Sequence, residues 1–346
     1  MSVSSFPREF GYRMPAEWEP HAATWLAWPH NPETWPGKME PIPAVWAEMI
    51  RALVPFEQVN LLVNDAVMEK TARELLSKSK VSPKNIIFHQ IPTNDCWMRD
   101  AGPVFVTKEK NLALINSLFN KWGGKYPPWE LDNEIPQKIS QKFDIPSFET
   151  GIVLEGGSID VNGCGSLLTT ESCLLNKNRN PHLSQKEIEE CLKNYLGVTN
   201  ILWLGEGIVG DDTDGHVDDI TRFVSPRALV TATEEDPNDE NFKPLQENFK
   251  RLQKMKDEQG RPFEIISLPM PRPIVYEGQR LPASYANFYI ANGVVLVPLY
   301  EGASDKKVIE VLQKVFPGRR IAGINAIDLI WGLGAFHCVT QQEPLI

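Results

Sequence analysis

Short apolar runs alternate with amphipathic stretches along this whole chain, and that alternation limits what it can fold into. Runs at 59–63, 86–91, 103–107, 113–118, 152–161, 166–170, 201–204, 220–224, 228–232, 263–267, 285–291 and 294–298 read as buried strands. Segments 44–54, 66–79, 134–142, 185–195, 241–256 and 306–315 carry a helical period instead. Many short strands must then be buried under many helices, which is α/β architecture. Asn162-Gly163 and Asn292-Gly293 lie between strand-like runs and predict hairpins whose turns need positive φ. Ser184 and Glu187 form an S-x-x-E capping box at the start of helix 185–195, with Leu183 placed to staple against Ile188. No Pro-rich linker or low-complexity tract interrupts the 346 residues, so one domain spanning 1–346 is expected. The pattern leaves open a doubly wound sheet, a barrel, or modules set around an axis.

The net charge of -10 argues against a nucleic-acid partner, which would need clustered Lys and Arg. It suits a cationic small molecule drawn to an acidic cleft. The 5 cysteines include no CxxC pair, so neither a zinc site nor a thioredoxin-like motif is indicated. Met1 to Tyr12 has no apolar signal core, and no run of about 18 apolar residues occurs, so no membrane span is expected. A reducing, cytoplasmic setting is the expectation.

Four places carry chemistry. Gly210 to Asp219 is dense in acids around His216. An EF-hand register would put Gly210 and Thr221 where carboxylates are required, so a calcium loop fails. If the segment is extended, His216 and Asp218 project to one side and could move a proton and bind a cation. A transition-metal pair is the alternative there, and a solvated acidic turn is the plainer one. Asn94 to Pro103 sets Trp97 beside Asp100, a carboxylate and an aromatic face that suit a planar cation. An Arg99–acid ion pair with a packed tryptophan is the bland account of the same residues. Glu155 ends an apolar run ahead of Gly156-Gly157, where a buried carboxylate needs a partner. Cys338 lies in a polar C-terminal stretch that usually frays, and it is either an inert thiol in a last strand or a nucleophile.

Together these strings resemble the agmatine deiminases, of the guanidine-modifying superfamily that also holds peptidyl-arginine and arginine deiminases. The resemblance runs through Met14 to Trp18, His21 to Pro29, Asn94 to Pro103, Leu154 to Ile159, Leu168 to Asn176, Asn178 to Pro181, Gly210 to Asp219 and His337 to Pro344. Asp160, where the family often has a histidine, and the Gly332-to-Phe336 approach to Cys338 depart from it. The resemblance implies a pseudo-fivefold α/β propeller (pentein) of ββαβ-type modules around a central site. It implies Cys338 as nucleophile, His216 as general acid/base, Asp100 and Asp218 as the guanidinium clamp, and Glu155 orienting His216. From the residues themselves, Trp97 would face the substrate and Asp212 is the candidate for its distal ammonium, with a solvated turn residue as the plainer reading of Asp212. A homodimer, no metal and no cofactor are implied as well. His337 should point away from its neighbour Cys338, as successive residues of a strand do, and so pack or bond elsewhere. The carboxylates around Cys338 should raise its pKa. Free or peptidyl arginine remains an alternative substrate. A metal-dependent amidinohydrolase and a non-catalytic guanidine binder remain alternative classes.

Overall fold

The computed structural model describes residues 6–346; residues 1–5, part of the polar N-terminal stretch, lie outside the described residues. Five sheets of three or four strands repeat one plan. In each, a strand pairs antiparallel with a second, a helix follows, and a third strand runs parallel to the second. One module joins Val104–Lys108, Asn111–Leu118, helix Ile135–Phe143 and Ser147–Val153. The next joins Asp160–Val161, Ser166–Thr170, helix Gln185–Leu196 and Asn200–Leu204. Thr221–Ser225, Ala228–Thr233, helix Phe242–Lys254 and Glu264–Pro269 form another. Tyr289–Ile290, Val294–Leu299, helix Ser304–Val315 and Arg320–Asn325 follow. The remaining module is assembled from both chain ends. Gln341–Pro344 pairs antiparallel with His21–Ala27, which leads through helix Ile42–Leu53 to the parallel strands Gln58–Val63 and Ile86–Gln90. This is the five-module α/β propeller plan.

Local chemistry explains most element ends. The Ser184–Glu187 capping box is formed, with the Ser184 N–H donating to Glu187 Oε2 at 2.8 Å, and Leu183 and Ile188 share one core cluster. Gly163 turns its hairpin with φ 69°, as expected. Gly293 differs: its φ is not positive, and glycine is required because a Cβ there would run into the Phe56 ring.

The expected strand 152–161 is broken. It ends at Val153, makes a 3-10 turn at Gly156–Ser158, and resumes at Asp160–Val161, because the Gly157 N–H turns inward to Asp100. The expected strand 285–291 shrinks to Tyr289–Ile290. Its first half is irregular and bonds the C-terminal turn through Asn287. No helix among the described residues is long and apolar enough to cross a membrane.

Candidate active site

Cys338 lies in a turn just before Gln341–Pro344, not in a last strand. Arg99 ties that turn down. Its backbone N–H donates to Cys338 O at 3.1 Å, and its guanidinium donates to Gln342 Oε1 at 2.7 Å and pairs with Glu17 at 3.2 Å. Beside the ion pair that is the bland account of Arg99, its backbone N–H therefore holds the thiol's own backbone. Cys338 opens onto a cavity of about 720 Å³ that Trp97, Asp100, Trp122, Asp212 and Gly334 also line.

Asp100 stands on the short helix Met98–Ala101, its carboxylate held by two donors. The Gly157 N–H reaches Oδ1 and the Trp122 indole N–H reaches Oδ2, each at 2.9 Å. His216 Nδ1 is 3.7 Å from Asp100 Oδ1. Cys338 Sγ is 3.9 Å from Asp218 Oδ2. His216 and Asp218 do converge, though not by the extended geometry expected: Val217–Asp219 is a 3-10 turn. The Asp211 carboxylate folds the preceding loop by accepting from the backbone N–H groups of Thr213 and His216 at 2.8 and 3.0 Å. Gly157 shows how tight the convergence is. A Cβ there would stand 2.5 Å from His216 Nδ1, 2.9 Å from Asp100 Oδ1 and 3.1 Å from Asp218 Oδ2. His337 sits in a turn and bonds other groups than the thiol. Its ring bridges Asp218 Oδ2 at 2.6 Å and Glu17 Oε2 at 2.7 Å.

These neighbours set the charges. Burial pushes the Cys338 thiol well up, and Asp218, Asp219 and Asp100 push it further, as the acids clustered around it predict. Burial works against a charged His216, yet Asp100, Cys173 and Asp218 outweigh it and hold the imidazole well above its ordinary range. Burial also opposes ionisation of Asp218, but His337, His216 and Arg222 win and its carboxyl is depressed. Asp100 moves up, chiefly through burial, with Asp218 and Glu155 adding to it. The geometry offers a thiol and a carboxylate on the wall of one cavity, with a second carboxylate, Asp218, and the His216 imidazole buried against them.

The family model described as Porphyromonas-type peptidyl-arginine deiminase matches residues 13–344. The chain belongs to this family. It is 38% identical to an agmatine deiminase of Medicago truncatula, with 100% of each chain covered. The structure of an Enterococcus faecalis agmatine deiminase superposes with TM-score 0.92 at 36% identity, over 99% of this chain and 98% of that one. A cysteine variant of C. jejuni agmatine deiminase with substrate bound gives TM-score 0.87 at 34% identity, over 96% of each chain.

Within this deiminase-family site, three expected residues take more specific places. Trp97 lines the cavity and packs against Gly334, where a Cβ would lie 2.5 Å from the indole. Glu155 is fully buried but does not hydrogen-bond His216. Its Oε1 accepts from Arg179 Nε at 2.6 Å, while its Oε2 and both His216 ring nitrogens have no hydrogen-bond partner among the described residues. Asp212 is on the cavity wall with its carboxylate already engaged, accepting from the Tyr126 hydroxyl and lying 3.6 Å from Lys125 Nζ.

Other contributors went unassigned in the sequence. Trp122 lies in a left-handed turn with Lys121 (φ 57° and 54°), a conformation only the flanking Gly123-Gly124 hinted at. Arg222 pairs with Asp160 at 2.6 Å and with Glu17 at 2.9 Å, so the departure at Asp160 is answered by a buried ion pair. Two donor groups, Glu155–Cys173–His216 and Asp218–Asp219–Cys338, each lie within 4.8 Å and could face a cation, although Glu155 already holds Arg179.

Proposed function

We propose that this chain is an agmatine deiminase, hydrolysing agmatine to N-carbamoylputrescine and ammonia. The observation that carries the reading is that Cys338 and Asp100 line one cavity and that His216 and Asp218 are buried against them, His216 3.7 Å from Asp100 and Asp218 3.9 Å from the Cys338 sulfur. A guanidinium is planar, cationic at neutral pH, and presents paired N–H groups that two carboxylates can grip. Held between Asp100 and Asp218, it would bring its carbon to the Cys338 sulfur for attack.

The thiolate forms a C–S bond, and the carbon passes through a tetrahedral state. One terminal C–N bond then breaks, its electron pair staying on nitrogen, which takes a proton from His216 and leaves as ammonia. An amidino-cysteine remains. His216, now neutral, takes a proton from water as the oxygen attacks. The C–S bond breaks with its electron pair going to sulfur, the hydroxyl proton passes to solvent, the thiolate is restored and the neutral ureido group leaves. The raised pKa of His216 suits the first proton donation.

Full-length relatives carrying the agmatine deiminase name favour agmatine over arginine. We assign Asp212 to the distal ammonium, with the Asp212→Asn variant expected to raise KM for agmatine. An unchanged KM would move that role elsewhere. The product would feed putrescine and polyamine formation from arginine. The reading takes the chain as one catalytic domain over 1–346, without metal or cofactor. Cytoplasmic location rests on its free cysteines, and a homodimer on the family resemblance.

The deciding experiment follows ammonia and ureido product from agmatine and from arginine, with wild type and Cys338→Ala, with and without chelator. Turnover of agmatine that Cys338→Ala abolishes and chelator spares is expected. Chelator-sensitive turnover surviving Cys338→Ala would mean a metal-dependent amidinohydrolase. No turnover at all would mean a binding protein, and a preference for arginine would change the substrate.

A further inference from the structure

Asn287 is completely buried and has all of its amide groups engaged around the candidate nucleophile. Its Oδ1 accepts from two successive backbone N–H groups, His337 at 3.0 Å and Cys338 at 3.3 Å. Its Nδ2 donates to Cys338 Sγ at 3.1 Å and to Asp219 Oδ1 at 2.9 Å. The amide's orientation follows from these partners. Two backbone N–H groups require an oxygen, and a carboxyl oxygen and a sulfur are best served by the NH₂. Reversing the amide would oppose donor to donor on one side and acceptor to acceptor on the other. Asn287 therefore meets the sulfur with a donor that has nowhere else to turn.

We propose that Asn287 is a catalytic residue whose side-chain N–H holds the Cys338 thiolate in place for attack and supports its charge. The proposal rests on Cys338 acting as the nucleophile of the deiminase reaction. The need for such a donor is plain from the surroundings. Asp218, Asp219 and Asp100 face the sulfur and, with burial, resist its ionisation. The cationic His216 ring near Asp100 and Asp218 works the other way. A fixed N–H aimed at sulfur strengthens when the sulfur becomes an anion, because a hydrogen bond to a charged acceptor is stronger than one to a neutral acceptor. Asp219 gives the second N–H a partner, so the carboxamide cannot rotate away when substrate enters. The same four contacts return during resolution of the covalent intermediate, when the sulfur must leave carbon as an anion. A leaving group stabilised by a positioned donor departs more readily.

The test replaces Asn287 by Leu, which keeps the approximate size and adds no charge but removes the N–H donor. Iodoacetamide alkylation of Cys338 against pH, without substrate, gives the thiol pKa. It should rise by about one unit or more, a tenfold or greater loss of thiolate at neutral pH. kcat should fall by a similar factor, with KM changed little. A folded Asn287→Leu protein with the wild-type alkylation pKa overturns the proposal, since a purely structural role would slow turnover without moving the titration. If that variant does not fold, wild-type protein labelled with ¹⁵N-asparagine serves. One side-chain amide should shift with the alkylation pKa and cease to titrate in Cys338→Ser. Absence of such an amide overturns the proposal. Turnover retained by Cys338→Ala would instead sink the functional reading itself.

Discussion

Gly157→Ala is the sharpest perturbation the site offers, because it adds one methyl group and no charge. The backbone at 157 is not in the left-handed region, so alanine is tolerated there by φ and any damage comes from crowding. The new Cβ would sit 2.5 Å from His216 Nδ1, and Asp100 Oδ1 and Asp218 Oδ2 would be 2.9 and 3.1 Å away. Ordinary contact between such atoms is about 3.5 Å, so the imidazole must move by roughly 1 Å. A displacement of that size in a positioned catalytic group costs about a hundredfold in rate, equivalent to about 2.7 kcal/mol. Overpacking should cost about 1–3 kcal/mol of stability, a few degrees in Tm. The assay is steady-state kcat/KM for agmatine, beside thermal unfolding and a Gly318→Ala control. A Cβ at Gly318 meets nothing within 4 Å, so that change should be silent. A folded Gly157→Ala enzyme within threefold of wild type would refute the claim that His216, Asp100 and Asp218 share one tightly enclosed centre.

Three further outcomes follow from the same geometry. Burial and the carboxylates hold the Cys338 thiol up in the free protein, so a bound cation should lower its pKa. Alkylation rates against pH, with and without a non-reactive guanidinium, measure this, and equal pKa values in the two states would refute it. Trp122→Phe keeps the aromatic wall but removes the indole N–H donated to Asp100 Oδ2. A hydrogen bond to a charged group is worth about 1.5–3 kcal/mol, so kcat/KM should drop roughly tenfold or more; an unchanged value would free Asp100 of that support. His89, stacked on Trp25 and edged by Phe143, is pushed down from 6.5 to about 4, mainly by burial and then by Lys142. The unfolded chain therefore takes up that proton first on acidification. His89 contributes stability above pH 6.5 that is lost progressively toward about pH 4. His89→Gln should flatten the dependence of Tm on pH within that window, and an unaltered slope would count against the shift.

Much of the architecture could be read from periodicity, but the modular plan could not. Helices such as Ala66–Lys78 and Gln185–Leu196 show their apolar stripes and caps within a dozen residues, where local rules suffice. The five-module plan depends on which strand pairs with which, and that information is spread over sheets sharing no repeated sequence. At the site, residue types were legible and their approach was not. His216 and Asp218 looked like neighbours on a strand. They meet because Asp211 folds the loop and glycine at 157 leaves room.

The C-terminal strand shows most clearly why the remainder was hidden. Gln341–Pro344 reads Gln-Gln-Glu-Pro, a polar sequence expected to fray, yet Gln341 and Gln342 are buried. Three of its side chains reach specific partners far away in the chain, although Gln341 Oε1 has none among the described residues. Gln341 Nε2 donates to Pro103 O at 2.6 Å, Gln342 Oε1 accepts from Arg99 at 2.7 Å, and Glu343 Oε2 accepts from the Trp25 indole at 2.7 Å. Hydrophobic patterning cannot detect a strand buried by polar complementarity, because its partners lie more than two hundred residues away in sequence. Its position nevertheless explains the placement of Cys338. The strand closes the module shared by both chain ends, and the turn before it is thereby held against Arg99 and Asn287. A thiol in a turn can be held in register for attack only if the residues beyond it are anchored. In this chain the anchor is the set of paired polar groups that made the segment look disposable.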